Sequence, residues 1–332
     1  MTHLYRLALY LLPRELRRKH GAEMAFLFAA ELGHARERGR WAALLAGLRG
    51  MCDAITRGAY ERVRSPGGPP SGTDAEPPTT AQLLVRLSTS FTVAVVALTS
   101  VFLFQYAPRQ IPALQTRGLG GDTIAQALWL SVPFTVALTI PMAVFVAVLQ
   151  VFTRLGANGV LSSATRRSRG ARRLMAPTVA ASAVVALLAL GVTTRVLPGA
   201  NKELITIQQG RVGAPNARAM TVDELRAAAR NAAHDDVAEL EVEIQKKFAL
   251  PAACVVLAMV AMAIAWSMPR GGTLLVSVAS VTVLGAYYAL IMVGEALADQ
   301  LVVSPVLAMW GANGLLLAVV LLFGWRRRMR TA

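Results

Sequence analysis

Two carboxylates in an otherwise apolar stretch are the residues of this sequence best placed to do chemistry. Glu295 and Asp299 lie four residues apart, so a helix would put both side chains on one face. Ionisable residues inside a membrane-length apolar run usually serve a function, because a charge in lipid is costly unless it is paired. The alternative is that both carboxylates lie at the membrane interface and are hydrated. Both readings predict a polar position at the end of an apolar helix.

The remaining reactive side chains are isolated from one another. The histidines lie far apart in polar segments, which predicts hydrated side chains rather than metal ligands: His3, His20, His34 and His234. Cys52 and Cys254 occur in segments of different character, so we expect no disulfide between them. The sequence contains no Gly-x-x-x-x-Gly-Lys-Ser/Thr loop and no evident Ser-His-Asp arrangement. We therefore expect no enzyme, no cofactor and no metal, and no ATP hydrolysis by this chain itself.

The elements that carry these residues are predicted to be membrane helices. The 332 residues are 55% hydrophobic and only 16% charged, with a mean hydropathy of +0.49, whereas soluble domains carry about 25% charged residues. A spanning helix needs about 20 apolar residues. Six runs meet that length, near 82–104, 126–152, 176–197, 249–268, 273–297 and 303–324. The predicted fold class is an all-α, polytopic membrane protein with six transmembrane helices and a small helical cytoplasmic N-terminal segment.

The placement of the net charge of +15 predicts the topology. Residues 1–64 carry twelve Lys/Arg against six Asp/Glu, and residues 153–175 carry six Arg and no acid. Residues 198–247, in contrast, carry seven basic and eight acidic residues. Because Lys and Arg mark the cytoplasmic side, both termini are predicted to be cytoplasmic and the 198–247 loop to lie outside. Lys246 and Lys247 conflict with this pattern, because they lie at the outer start of the fourth span. We expect their side chains to snorkel to the interface. Anionic lipid is an expected contact, and nucleic acid is not.

The predicted organisation has five parts. They are a helical cytoplasmic prefix (1–64), a flexible Pro/Gly-rich linker (65–80), transmembrane helices 1–3 (81–197), a short extracytoplasmic and mostly helical loop (198–247), and transmembrane helices 4–6 with a basic tail (248–332).

The extracytoplasmic loop contains its own local signals. Thr221 to Glu224 form a capping box ahead of a helix-forming stretch, 225–233. Asp235 or Asp236 is expected to cap a second helix that runs into the membrane. Before these elements, Leu204–Gln208 is rich in β-branched residues and is predicted to form one strand.

Several motifs follow one another through the apolar part. The second span contains Pro133 and Pro141 and ends Val-Phe-Thr-Arg154-Leu155, and the third span ends with Pro198-Gly-Ala-Asn201. The fourth span opens with Glu243-Ile-Gln-Lys-Lys-Phe-Ala-Leu-Pro251. After it come Arg270-Gly-Gly, Tyr287-Tyr288, Gly294-Glu-Ala-Leu-Ala298 and Trp310-Gly-Ala-Asn313. In this order, over about residues 82 to 325, they resemble the LptF/LptG class of lipid-export permease subunits.

The resemblance implies a permease subunit of an ABC-type exporter in the bacterial inner membrane. Its implied partners are a second permease subunit, forming a homo- or heterodimer, and a separate cytoplasmic ABC ATPase that supplies the energy. The implied substrate is a lipid, of the lipopolysaccharide or lipid A-like class. It further implies that the first and fifth spans form a lateral gate, and that Pro133 and Pro141 kink the second span.

Two departures from the family pattern bear on function. Family members carry an eight-stranded jellyroll between the third and fourth spans, which needs on the order of a hundred residues, whereas this loop spans only 198–247. The segment that couples to the ATPase is matched by Arg154, Leu155, Asn158, Val160 and Leu161, and Asn158 and Val160 stand where the family has acids. The basic residues from Arg166 to Arg173 provide an alternative contact, with an acidic surface on the partner in place of a basic one.

The N-terminal prefix has a resemblance of its own. The run Leu12-Pro-Arg-Glu-Leu-Arg-Arg-Lys-His-Gly-Ala-Glu-Met24 resembles the cytoplasmic prefix found ahead of duplicated orphan permeases. It also fits an amphipathic basic helix lying on anionic lipid. The added prefix, the missing jellyroll and the missing acids leave a second functional reading open, in which the chain is a non-transporting membrane scaffold or regulator that reuses the permease fold.

Overall fold

The computed structural model describes residues 77–115, 120–166, 168–209, 217–232, 234–268 and 272–331, together with eight positions between residues 18 and 33. The chain divides into two compact units, Met1–Ser71 and Gly72–Ala332. In the first unit the described positions, such as Glu23 and Phe28, are helical, and Phe28 is buried. The rest of the predicted prefix, residues 65–76 of the predicted linker and the Arg270-Gly-Gly turn up to Gly271 lie outside the described residues.

The second unit is built from helices, with no strand among the described residues. In chain order they are α1 Thr80–Gln115, α2 Gly121–Leu130, α3 Val132–Ala157, α4 Val160–Arg166, α5 Ser168–Gly191, a π-helix Val192–Val196, α6 Leu197–Gln209, a 3₁₀ turn Ala217–Ala219, α7 Val222–Asn231, α8 His234–Ser267, α9 Gly272–Asp299 and α10 Pro305–Thr331.

Six segments of the described chain are long and apolar enough to cross a membrane. The first to sixth spans are Thr80–Gln105, Gly121–Ala157, Gly170–Ile207, Val237–Ser267, Leu274–Asp299 and Pro305–Gly324. The predicted fold class, all-α and polytopic with six transmembrane helices, is therefore confirmed. The third and fourth spans extend further than predicted, because the polar residues at their ends find partners within the protein.

The predicted strand at Leu204–Gln208 is wrong, because these residues lie in α6. Ile205, Thr206 and Ile207 gave the strand prediction through their β-branched side chains. In the helix, however, the Thr206 hydroxyl donates to the carbonyl of Lys202, four residues earlier, at 2.9 Å. A threonine that bonds in this way is accommodated in a helix.

The second and fourth spans form the centre of the bundle. In their most apolar segments 67% and 56% of the residues are buried, against 17–22% in the other four spans. Helix α3 packs against α1 and α8, and α8 also packs against α5 and α10. Phe152 of α3 meets Trp266 of α8 with ring centroids 5.4 Å apart. The outer faces of the remaining spans carry many exposed apolar side chains, as lipid-facing helices do.

The two predicted kink residues occupy different positions. Pro141 lies inside α3, whereas Pro133 lies in its first turn, just after the one-residue interruption at Ser131. Next to Pro141, the carbonyl of Leu138 accepts a hydrogen bond from the Tyr288 hydroxyl of α9 at 2.7 Å. Neighbouring helices commonly satisfy backbone groups that a proline disturbs. The kinks themselves stay predictions.

The fifth and sixth spans form a tight hairpin. Leu301 takes a left-handed conformation with φ 58°, and the Leu301 and Val302 amides close the end of α9 by donating to Ala298 and Leu297. This is the arrangement in which glycine is usually found. Gly294 lets the helices approach closely, because a Cβ at this position would collide with the carbonyl oxygen of Ala308 and lie 3.1 Å from its carbonyl carbon.

Replacing Gly294 tests this close approach. We expect Gly294→Ala to destabilise the protein by about 1–3 kcal/mol, because the added methyl forces α9 and α10 apart. The change is measured by thermal unfolding in detergent, with the loss of the monodisperse protein peak as the readout. The matched control is Gly285→Ala on the same helix, where a Cβ meets nothing within 4 Å. Equal melting temperatures for the two variants would contradict the proposed packing constraint.

Candidate functional site

The predicted coupling segment forms a turn between α3 and α4. Helix α3 ends at Ala157, and Gly159 reverses the chain with φ 76°, a left-handed conformation that favours glycine. The Asn158 amide donates to the Arg154 carbonyl at 3.1 Å, and the Ser162 hydroxyl donates to the Gly159 carbonyl at 2.7 Å. These bonds close the turn.

The five predicted coupling residues differ in exposure. Leu155, Val160 and Leu161 are buried in the hydrophobic core, Arg154 is half-buried and Asn158 is exposed. Val160 therefore presents no side chain to a partner at the position where the family pattern has an acid. The departure concerns burial as well as charge. The sequence alone did not indicate that Val160 is buried, because a single valine beside a turn does not reveal whether its side chain points into the core or to the surface.

Helix α4 docks closely on the start of α5. A Cβ added at Gly170 would lie 2.9 Å from Cα of Ala164 and 3.0 Å from its carbonyl oxygen. Contacts this short to backbone atoms cannot be relieved by a side-chain rotation. Gly170 thus permits a helical hairpin at this end of the bundle, and the exposed Arg172 and Arg173 follow it directly.

Charged residues cluster at the opposite end of the bundle, where residues 208–236 join the third and fourth spans. We call this end the loop end. Lys246 of α8 donates to Oε1 of Glu295 in α9 at 2.6 Å, and its Nζ lies 3.5 Å from Oε1 of Glu243. Nε of Arg218, in the 3₁₀ turn, lies 3.4 Å from Oε1 of Glu243, and its Nη2 lies 3.9 Å from Oε1 of Glu295. These four residues form the loop-end network.

A cleft of about 440 Å³ opens beside the network. It is lined by Arg218, Glu239, Val242, Glu243, Glu295 and Asp299. The two carboxylates singled out in the sequence are thus on one cleft, although only Glu295 is in the network. Asp299 is exposed. Sequence reasoning missed Arg218 and gave Glu243 no site role, although Glu243 opens the motif of the fourth span and lies three residues before Lys246 on a predicted helix.

The expectation that Lys246 and Lys247 snorkel is wrong. The Lys246 side chain is only 17% exposed and is ion-paired, and Lys247 is 5% exposed. Glu243 and Lys247 are the charged residues among the buried positions of the described chain. An acidic partner on α9 keeps Lys246 inside, because a paired charge no longer has to reach water. The sequence separation of Lys246 and Glu295 hides this pairing from a local pattern.

Residues of the motifs that close the third span and lie in the sixth span hold α8 and the loop-end network in place. The Asn201 amide donates to the Arg218 carbonyl at 3.0 Å, and the Asn313 amide donates to the Ala249 carbonyl at 2.9 Å. The Trp310 indole donates to Oε1 of Gln245 at 3.0 Å. Residues of the third and sixth spans thus anchor the 3₁₀ turn and the N-terminal half of α8, which together carry three of the four network residues.

The described part of the loop is a small helical cap. The predicted capping box is present, since the Thr221 hydroxyl accepts from the Glu224 amide at 3.3 Å and the Thr221 amide donates to Oε2 of Glu224 at 2.8 Å. Lys202 of α6 donates to both oxygens of Glu224, at 2.7 and 3.0 Å. Leu225 is fully buried beneath. The second predicted helix is present as α8, which runs unbroken into the fourth span. The predicted cap is wrong, because α8 begins at His234 and Asp235 and Asp236 lie in its first turn.

The loop-end ion pair is testable with a double-mutant cycle. Lys246→Met and Glu295→Gln should each lower the free energy of unfolding by about 1–3 kcal/mol, because each removes the shortest ion pair of a partly buried network and leaves the other charge with its more distant partner alone. The double variant should lose less than the sum of the two. The same cycle on the exposed pair Arg226 and Asp223, 3.9 Å apart, is the control and should give a coupling near zero. Additive losses at Lys246 and Glu295 would contradict the pairing.

The cap should loosen in acid. The hydrogen bonds from Lys202 and then from the Thr221 backbone lower the pKa of Glu224 from 4.5 to about 2. A depressed folded-state pKa stabilises the cap above pH 4.5, and this stabilisation is lost as the pH falls from 4.5 towards 2. A spin label on Ala227→Cys, in a background without native cysteines, should gain mobility in that range. In Lys202→Met the loss should be smaller and complete at a higher pH, and a label insensitive to pH would contradict the assignment.

The matched family covers the whole bundle described above. The lipopolysaccharide export system permeases LptF/LptG match this chain over residues 82–210 and 203–326, which together contain the six spans apart from the first two residues of the first, the coupling turn and the loop-end network. No curated protein matches the chain. Because the match extends over far more than half of the 332 residues, the chain is a membrane protein that belongs to the LptF/LptG permease family.

Proposed function

We propose that the chain is the permease-type transmembrane subunit of an ABC system that exports a lipid of the lipopolysaccharide-like class. The observation that carries this proposal is the family match over residues 82–210 and 203–326, which coincides with the six spans. Family members are transport permeases and work with other subunits. The chain would lie in the bacterial inner membrane with both termini in the cytoplasm, as the distribution of basic residues favours.

The proposed complex has three kinds of component. A second permease subunit, either a copy of this chain or a related one, would complete the cavity, with the first and fifth spans as the lateral gate. The exposed apolar faces of these spans support this arrangement, since they are free to contact lipid or a partner. A separate cytoplasmic ATPase would provide energy. The α3–α4–α5 hairpin, residues 153–173, is the proposed contact with it.

The transfer of lipid beyond the membrane would differ from the usual route. The described part of residues 198–247 is a helical cap rather than strands, and the segment is too short for eight strands of the usual length. We therefore propose that this chain delivers its lipid without a jellyroll of its own. Either a different partner accepts the lipid or the partner subunit provides the acceptor domain.

A pull-down from the native host tests the proposal. The tagged chain, extracted in mild detergent, should carry a stoichiometric ABC ATPase, a second six-span subunit and a co-purifying lipid, all identified by mass spectrometry. Recovery of neither an ATPase nor a six-span partner would overturn the proposal.

The alternative is a non-transporting scaffold or regulator that reuses the permease fold. The burial of Val160 and the exposure of Asn158 favour it, because an ATPase groove that binds acids finds none on this turn. The gene neighbourhood separates the two: an adjacent ATPase gene supports export, whereas an adjacent regulatory gene without one supports the scaffold. We prefer export because the family match and the ordered motifs extend over all six spans.

The coupling hairpin gives a direct variant. We expect Gly170→Ala to reduce the recovered ATPase severalfold, because the methyl displaces α4 from α5 and disorders the proposed contact. The amount of ATPase per tagged chain in the pull-down is the measurement. Gly191→Ala, where a Cβ meets nothing within 4 Å, is the control and should recover as much ATPase as the unmodified chain. Undiminished ATPase in well-folded Gly170→Ala would place the contact elsewhere.

A further inference from the structure

The first and fifth spans are peripheral helices that each contact the central helix α3 through a hydroxyl group. Thr99 of α1 and the fully buried Thr139 of α3 lie 3.0 Å apart, hydroxyl to hydroxyl. The Tyr288 hydroxyl of α9 donates to the Leu138 carbonyl of α3 at 2.7 Å. The loop-end network holds α9 as well, at Glu295, two helical turns beyond Tyr288. Two separate spans are therefore bonded to neighbouring residues of one central helix.

These two contacts fall on the turn of α3 that a proline interrupts. Pro141 lies inside α3 and has no N–H, so the Ala137 carbonyl cannot receive its usual hydrogen bond from residue 141. The Thr139 hydroxyl donates to the Val136 carbonyl at 3.2 Å, and a threonine that bonds back to its own helix often bends it. We call residues 136–141 the Pro141 turn. Its carbonyls are bonded by side chains as well as by the backbone of α3.

The direction of the Thr99 hydrogen bond follows from this arrangement. Because Thr139 uses its one hydroxyl hydrogen on the Val136 carbonyl, Thr99 is the donor in the hydroxyl pair. Other hydroxyls of the first span, those of Ser88 and Thr92 for example, donate to carbonyls of α1 itself or lie near them. Thus α1 and α9 both donate to the Pro141 turn, one to a side chain and the other to a backbone carbonyl.

The part of α3 that follows the Pro141 turn is packed into the centre of the bundle. Most residues between Thr139 and Gly156 are buried. This half of α3 ends at the coupling turn, where Gly159 reverses the chain. A packed helix moves as a unit, whereas a helix that contains a proline bends at the proline. A displacement at the coupling turn is therefore passed along the buried half of α3 to the Pro141 turn.

We propose that the Pro141 turn is a hinge shared by α1 and α9, so that a bend of α3 at this turn moves the first and fifth spans together. The Thr99 and Tyr288 hydroxyls attach the two spans to the hinge, and Pro141 lowers the cost of bending it. The inference rests on the proposed function in one respect, because the spans that it couples are those proposed as the lateral gate. It adds the element through which the coupling hairpin moves both spans.

Distances within one chain test whether the two spans are coupled. The full chain, in lipid nanodiscs and without its native cysteines, carries spin labels at exposed positions, either Val101→Cys on α1 or Val281→Cys on α9, each paired with Leu187→Cys on α5. Unlabelled chain is added in excess, so that pulsed EPR records distances within a single chain. Tyr288→Phe should raise the ratio of the minor to the major α1–α5 distance about fivefold, as the loss of one buried hydrogen bond implies. Thr99→Val should have the same effect on the α9–α5 distance.

Matched variants separate this coupling from a general loosening of the bundle. Tyr287→Phe removes the same atom from the neighbouring tyrosine, whose hydroxyl has no hydrogen-bond partner in the described part of the chain, and should leave the α1–α5 ratio unchanged. Thr92→Val removes a hydroxyl that donates to the Ser88 carbonyl of α1, and should leave the α9–α5 ratio unchanged. The absence of an effect from one span to the other, or an equal effect of the control variants, overturns the proposal.

The role of Pro141 is tested with the same label pairs. Pro141→Ala supplies the missing N–H to the Ala137 carbonyl, so the effects of Tyr288→Phe and Thr99→Val on the other span should fall to about twofold or less. Pro141→Leu also restores this N–H and is the second variant. Pro133→Ala is the control, because a proline in the first turn of a helix interrupts no helix hydrogen bond, and it should leave the effects at about fivefold. Effects that persist without Pro141 overturn the assignment of the hinge to this turn.

The outcome can be separated from the proposed function. The distances are measured in the chain itself, whereas the ATPase and the second subunit are scored in the native pull-down. Recovery of both partners, with no effect of either hydroxyl on the other span, overturns the hinge alone. Coupled effects on both spans, with neither partner recovered, support the hinge and overturn the exporter proposal alone.

Discussion

Pro251 has no backbone N–H, so the carbonyl of Lys247, four residues earlier in α8, loses its usual helix hydrogen bond. In a membrane this carbonyl must be satisfied within the protein, because lipid offers no donor. The Thr193 hydroxyl provides the bond at 3.2 Å, from the π-helix of the third span. A π-helical turn widens the helix locally and often marks a functional region. The third span is thus held against α8 at the level of the loop-end network.

The same constraint explains why the other motifs converge on α8. Asn313 adds a hydrogen bond to the carbonyl of Ala249, two residues before the proline, and Asn201 holds the turn that carries Arg218. Once the third and sixth spans are fixed around α8, Lys246 meets Glu295 of α9 and also pairs with Glu243 on its own helix. The charges therefore depend on the backbone contacts that position them. The permease-like motifs are, in this chain, largely the donors and acceptors that support one central helix.

The sequence predicted the spans well because bilayer length and hydropathy are local properties. It also predicted the capping box, since Thr221 and Glu224 lie within one turn. It failed for Leu204–Gln208, where β-branched side chains suggested a strand although α6 continues through them. Lys246 and Glu295 are separated by 49 residues. Their pairing, the burial of Val160 and the cleft that joins Glu295 to Asp299 all depend on how helices pack, which no local pattern contains.

Transport itself is the central claim of this account. The direct measurement uses proteoliposomes that contain the chain with its co-purified ATPase and second subunit, and follows the release of labelled lipid to a soluble acceptor. The account predicts release that requires ATP hydrolysis and stops when the ATPase is inactivated. Vigorous ATP hydrolysis by the intact complex with no ATP-dependent lipid release would contradict it, and would favour a scaffold built on a permease fold.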